Sequence, residues 1–238
     1  MLKQYDFETI DSTNSFARRL IEQGEKDNAL ITAKEQTAGR GRRGRTFYSP
    51  MQTGLYMTVI MPALPMEGFA ITCRAAVKVW QAVCAILGIR LGIKWVNDLE
   101  LSGKKVCGIL AERVEDRFVI GIGINLNTES FPEEIRERAG SLLHEGISED
   151  TRALLANRIA EGLFALCDET PDAEAKQEDL RIYRENLVLT GKTVDCTPIG
   201  ITGTVLGIDG DGGLLVQTET GIEIIRSGEV SVRIKDNI

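Results

Sequence analysis

Runs of apolar residues at two different spacings divide this chain into strands and helices. Leu2 to Phe7 reads as a short strand. Asp11-Ser12-Thr13-Asn14 follows, a set of short polar side chains suited to capping a helix start, and Phe16, Leu20 and Ile21 give that helix one apolar face. Ala29 to Ala33 predicts a second strand. Leu55 to Met61 predicts a third, closed by Pro62. Phe69 to Leu87 is long and apolar enough for a core helix. Leu91 to Lys94, Val106 to Ala111 and Val119 to Ile124 predict further strands, the last two joined by a tight turn near Glu115-Asp116.

From Thr151 to Cys167 the period returns to that of a helix, with Leu154, Leu155, Ile159, Leu163 and Leu166 apolar. A more charged helix is expected from about Ala173 to Asn186. The texture then changes. Val194 to Ile234 holds short β-rich runs broken by expected glycine turns at Gly200, Gly203, Gly207, Gly210, Gly212-Gly213, Gly221 and Gly228. This predicts an α+β domain over residues 1–187 and a small all-β domain over residues 188–238, with no internal repeat.

Composition narrows the picture. The chain has 238 residues, a formal net charge of −7 and 43% hydrophobic residues, enough for a buried core. No apolar run approaches a membrane span, and Met1-Leu2-Lys3-Gln4-Tyr5-Asp6 lacks the apolar core of a leader, so a cytoplasmic protein is expected. Five scattered cysteines form no C-x-x-C pair and read as buried free thiols. A single histidine, His144, cannot build a histidine-rich metal site and is expected at the surface.

Against this acidic background one segment stands out. Gly39-Arg40-Gly41-Arg42-Arg43-Gly44-Arg45 holds four arginines and three glycines and no apolar residue. Glycine lets backbone approach a ligand closely, and arginine presents a fixed fork of donors to carboxylate or phosphate. A loop from Lys34 to Gln52 that orders around an anion is expected. The G-x-G-x-x-G spacing within it is not a dinucleotide fingerprint. That pattern must open a helix and be followed by an acidic residue, yet Pro50 and Gly54 follow and no Asp or Glu occurs from Arg45 to Met66. Nucleic-acid binding is disfavoured, because one basic loop on an acidic chain supplies few phosphate contacts.

Two further constellations carry chemistry. Lys94-Trp95-Val96-Asn97-Asp98 precedes Gly103-Lys104-Lys105-Val106-Cys107-Gly108. Lys105 enters an apolar strand and can point into a cleft, where Gly108 leaves room. Asn97 and Asp98 are oxygen donors suited to Mg²⁺, ribose or phosphate-bound water. Gly121-Ile122-Gly123-Ile124-Asn125 strips one strand face of side chains. That face could receive a planar ligand or close sheet packing.

Together these stretches resemble the biotin–protein ligases. The matching elements are Ser12-Thr13-Asn14, Gln36-Thr37-Ala38 leading into GRGRRGR, KWVND, GKKVCGIL, GIGINLN, Ala139-Gly140-Ser141-Leu142, and Asp211 to Leu214 through Gly228 to Ser231. Val96 stands where the family often has proline, and Phe47 where it often has tryptophan. The resemblance implies a catalytic domain related to class II aminoacyl-tRNA synthetases, with a mixed β-sheet and flanking helices, plus a C-terminal SH3-like barrel. It implies a monofunctional ligase without an N-terminal DNA-binding domain, acting as a monomer or homodimer on a biotin carboxyl carrier protein, with no DNA or membrane partner. Biotin and MgATP would give biotinyl-5′-AMP, which a carrier lysine then attacks.

The resemblance also implies site roles. Ser12, Thr13, Asn14, Gln36, Gly39, Arg40, Gly41, Arg42, Lys105 and Gly108 would bind biotin, with Lys105, Arg42 and Arg40 stabilising charge in the reaction. Arg43, Arg45, Asn97, Asp98 and Asn125 would serve ATP, Asn97 and Asp98 near Mg²⁺ and Asn125 at the adenine. The alternative is a lipoate or octanoate ligase, which shares the fold and the acyl-adenylate chemistry; the polar set around Ser12 and Gln36 favours a ureido ring over a dithiolane. A non-enzymatic regulator that binds the adenylate is the third reading.

Overall fold

A computed structural model describes residues 2–66, 68–168, 173–226 and 230–235 of the chain. The first strand, β1 (Leu2–Ile10), runs parallel to β2 (Asn28–Gln36), and helix α1 (Thr13–Glu22) connects them. β3 (Gly54–Pro62), β6 (Lys104–Val114) and β7 (Arg117–Asn125) form the centre of a seven-stranded mixed sheet. The short β4 (Gly92–Lys94) and β5 (Asp98–Leu101) complete it, in the order β1-β2-β3-β7-β6-β5-β4.

Strand alternation sends successive residues to opposite faces. Ile31, Ile60, Val119 and Val114 pack beneath α1, against Ala17 and Ile21. Leu30, Val59, Met61, Ile120 and Ile122 face the other way, toward α2 (Gly68–Leu87) and α3 (Glu149–Asp168). β3 is buried from Gly54 to Met61, which suits its place between β2 and β7. The expected turn at Glu115-Asp116 is present, and Glu115 adopts φ 54° to close it.

The C-terminal region holds β8 (Thr193–Thr197), β9 (Ile201–Ile208), β10 (Leu214–Thr218), β11 (Gly221–Ile225) and β12 (Ser231–Ile234). They form an antiparallel sheet ordered β11-β10-β9-β8-β12. The architecture is therefore α+β, as expected. Helix α4 (Ala173–Asn186) leads into this region, and a bridge between Ile93 and Leu187 joins its end to β4. Val194, Cys196, Val205 and Val216 belong to the same continuous core as α2, and Trp95 Nε1 donates to the Gly212 carbonyl at 2.9 Å.

Several expectations need correction. Gly203 and Gly207 lie within β9, not in turns. A side chain at Gly203 would come within 2.2 Å of the Gln217 carbonyl, so the residue marks close strand approach. Gly228 and Glu229 lie outside the described residues. Cys73, Cys107 and Cys196 are buried free thiols, but Cys84 and Cys167 are only partly buried. One stretch, Ala70–Leu87, is in fact long and apolar enough to cross a membrane. Its place in the core explains this, and its two cations, Arg74 and Lys78, both donate to Asp179 of α4, at 2.9 and 2.8 Å.

Candidate functional site

β2 continues to Gln36, so the arginine segment begins later than the expected Lys34, and it has structure of its own. Phe47 N donates to Gly39 O (2.9 Å), Gly41 N donates to Arg45 O (2.7 Å), and Arg40 and Thr46 form a bridge. Residues 42–44 make a single tight turn, with Arg43 at φ 58°. The far end of the loop is fixed by buried Arg152 of α3, which donates to the carbonyls of Gln52 and Gly54 at 2.9 and 2.6 Å.

Beneath this loop lies a narrow cleft on the α1 face of the sheet. Thr13, Asn14, Gln36, Arg40, Gly41, Arg42, Asn97, Lys105 and Gly108 line it, together with Met57, Ile109, Leu110 and Ile122. The structure thus gathers nine of the expected residues from five separate stretches of sequence. A polar network crosses one end. Gln36 Oε1 accepts from Thr13 N (2.9 Å) and Thr13 Oγ1 (3.1 Å), and Gln36 Nε2 donates to Ser49 Oγ. Buried Thr58 Oγ1 lies 2.8 Å from both Thr13 Oγ1 and Asn14 Oδ1. Such a network fixes the orientation of each donor and acceptor that a ligand meets.

The other end is cationic. Lys105 Nζ lies 2.6 Å from Asp98 Oδ1, and Arg42 Nη1 donates to Asn97 Oδ1. Asn97 in turn donates to the Ile109 carbonyl (3.1 Å), which fixes the turn before β5. Backbone bonds hold Lys105 as well: its N donates to Arg138 O, and its carbonyl accepts from Gly140 N.

The glycines are explained by what fills the space above them. Gly108 and Gly123 are direct partners across β6 and β7. A Cβ at Gly123 would lie 2.4 Å from the Phe47 ring, and one at Gly108 would lie 3.0 Å from Lys105 Nζ and 3.2 Å from the same ring. At Gly121 a Cβ would meet Asn14 Oδ1 at 1.9 Å. The bare strand face is thus occupied by the chain's own Phe47 ring and Asn14 amide, the close-packing reading of that motif.

Other expected residues stand apart from the cleft. Ser12 is the buried N-cap of α1, with its Oγ accepting from Ser15 N at 3.4 Å. Gly39 sits under the Phe47 carbonyl and Ser49 Oγ. Arg43 donates to Ser231 Oγ of β12 at 2.7 Å, and Arg45 is exposed. Asn125 is buried, and its Nδ2 donates to the Gly140 carbonyl at 3.0 Å rather than lining the cleft. Asn97 and Asp98 face cations, and among the described residues no group of three or more His, Cys, Asp or Glu could hold a metal ion. Sequence reasoning did not single out Glu112, which pairs with Arg40, because no local pattern marks it.

Comparison with known proteins places this geometry. Residues 7–129 match the model of the biotin/lipoate A/B protein ligase family, and residues 199–233 match that of the biotin protein ligase C-terminal domain. The bifunctional ligase/repressor BirA of Bacillus subtilis is 33% identical over 94% of this chain and 72% of that protein. The Escherichia coli protein of the same name is 30% identical over the same shares. Among solved structures, the biotin protein ligase of Aquifex aeolicus in complex with biotin and ATP superposes with a TM-score of 0.84 at 30% identity, covering 98% of this chain and 99% of that one. The chain belongs to the biotin/lipoate A/B protein ligase family.

Proposed function

We propose that the protein is a biotin–protein ligase. It condenses biotin with ATP to biotinyl-5′-AMP and pyrophosphate, then passes the biotinyl group to a lysine of a biotin carboxyl carrier protein. The observation that carries the reading is one cleft with a fixed polar network at one end and Lys105 and Arg42 at the other.

A free carboxylic acid is a poor acyl donor, because its leaving group would be hydroxide, or oxide from the carboxylate. The carboxylate must attack the α-phosphorus of ATP, and both are anions. Lys105 and Arg42, already placed at one end of the cleft, supply positive charge where the two meet. The ureido ring of biotin, with two N–H donors and one carbonyl, suits the short polar groups of Thr13, Asn14 and Gln36. Leu110 and the Phe47 ring, on the cleft side of the sheet, suit its apolar body. Arg43 and Arg45 serve the nucleotide phosphates or the closed loop. Magnesium enters with the triphosphate, and Asn97 and Asp98, which face Arg42 and Lys105, are the oxygens that would serve it. Asn125, whose Nδ2 holds the Gly140 carbonyl, serves the adenine through its remaining amide oxygen. The protein supplies no covalent nucleophile; the carrier amine attacks the acyl carbon and AMP departs.

We also infer that residues 1–187 form the catalytic unit and residues 188–238 a smaller unit docked on it. The test of the whole reading is carrier modification. Purified protein, MgATP, biotin and a biotin carrier domain should give a carrier heavier by one biotinyl group, lost when the acceptor lysine is replaced. An unmodified carrier after full adenylate formation would remove the transfer step.

A further inference from the structure

Arg40 lines the cleft, but its guanidinium is already engaged. Nη1 donates to Glu112 Oε2 at 3.1 Å and Nη2 to Oε1 at 3.0 Å, a two-point pair that fixes direction as well as distance. The same carboxylate accepts from Arg18 Nη1 of α1 at 3.3 Å and lies 3.5 Å from Asn14 Nδ2. Its side chain is 20% exposed, against 37% and 39% for its two arginines. Alternation along β6 accounts for its place. Gly108 and Leu110 line the cleft, and Glu112 is the next residue on that face, at the rim.

We propose that Glu112 is a positioning residue: by holding Arg40 it keeps the stem of the arginine loop against the sheet and so sets how long the acyl-adenylate is retained. This rests on the adenylation reading above. Arg18 and Arg40 converge on one carboxylate, so removing its charge does more than delete a bond; two guanidinium groups then face each other across the gap. Arg42 on Asn97 and Arg43 on Ser231 hold the tip of the loop. The Glu112 pair holds the stem, close to where the chain leaves β2, and its angular constraint is passed to Phe47 through the bond from Phe47 N to Gly39 O.

The test compares the wild type with Glu112→Gln, Arg40→Gln, the double variant and Glu112→Asp. Each is charged with labelled biotin and MgATP without carrier, and adenylate release is followed after a chase of unlabelled biotin. Each Gln single variant should release roughly five- to tenfold faster than the wild type, with the double no faster than Arg40→Gln, because both remove one link. Glu112→Asp should recover part of the loss. In Glu112→Gln the KM for biotin should rise while kcat for pyrophosphate release stays within about threefold. Tryptic cleavage after Arg43 and Arg45 in ligand-free protein should also quicken in Glu112→Gln. That readout does not depend on turnover, so a wild type that made no adenylate would overturn the activity while the cleavage rate still tested the link. A double variant whose effects add, or Glu112→Gln with wild-type release and wild-type cleavage, would overturn the proposal.

Discussion

A single methyl group placed at Gly123 should act on the loop more than 75 residues away in sequence. A Cβ there would lie 2.4 Å from Phe47 Cε1, 2.6 Å from Cζ and 2.9 Å from Cδ1. Ordinary contact begins at 3.4 Å, so the ring must retreat by about 1 Å. Overpacking of this kind costs about 1–3 kcal/mol, and the lower backbone entropy of alanine offsets about 0.5–1 kcal/mol of it. A net loss of about 1–2 kcal/mol is expected. Phe47 is hydrogen-bonded to Gly39 at the base of the arginine loop, so its retreat moves the loop. Gly123→Ala should therefore raise the KM for biotin by about tenfold, alongside a lower thermal midpoint. The assay is pyrophosphate release against biotin concentration, with thermal unfolding in parallel. Gly123→Ala combined with Phe47→Leu should recover much of both losses. If Gly123→Ala alone had wild-type KM and midpoint, or if shrinking Phe47 made the alanine variant worse, the ring would not be the group that the glycine accommodates.

Other outcomes follow from the same geometry. Lys105→Ala should reduce biotin-dependent pyrophosphate release at least about a hundredfold, and normal release would rule out its charge-stabilising role. Arg42→Gly should speed adenylate dissociation more than it weakens ATP binding; an unchanged dissociation rate would exclude gating by this arginine. Stability should fall with alkaline pH. Burial pushes the Cys73 thiol up to about 12 from an ordinary 9.0, the Tyr56 phenol to about 12, and the Cys107 thiol higher still. These groups stay protonated in the folded chain while their unfolded counterparts ionise. Their stabilisation is complete below about pH 9 and is lost as pH rises through the folded values, at about 1.4 kcal/mol per pH unit for each thiol. Urea midpoints at pH 8 and pH 10 measure this, and the difference should shrink in Cys73→Ala; equal midpoints would refute the assignment.

The long elements were legible in sequence because burial follows their period. β3 and α2 lie where apolar spacing put them, and Pro62 ends β3 as expected. β5 was missed because Asp98–Leu101 is four residues long and half charged, and its pairing with β6 is set by register, not by local preference. The residue types at the cleft were readable, since glycine, arginine and lysine in apolar surroundings call for a reason. Their partners were not. Arg40 meets Glu112 72 residues on, and Trp95 meets the Gly212 carbonyl 117 residues on, contacts that exist only once the sheet is assembled. The same limit applies to Asn125, whose amide donates to the Gly140 carbonyl 15 residues on.

The most direct test of biotin activation is pyrophosphate release by purified protein with MgATP, comparing biotin, lipoate and no acid. Release with biotin alone is the expected result. Release with lipoate instead, or at the same rate without acid, would contradict it.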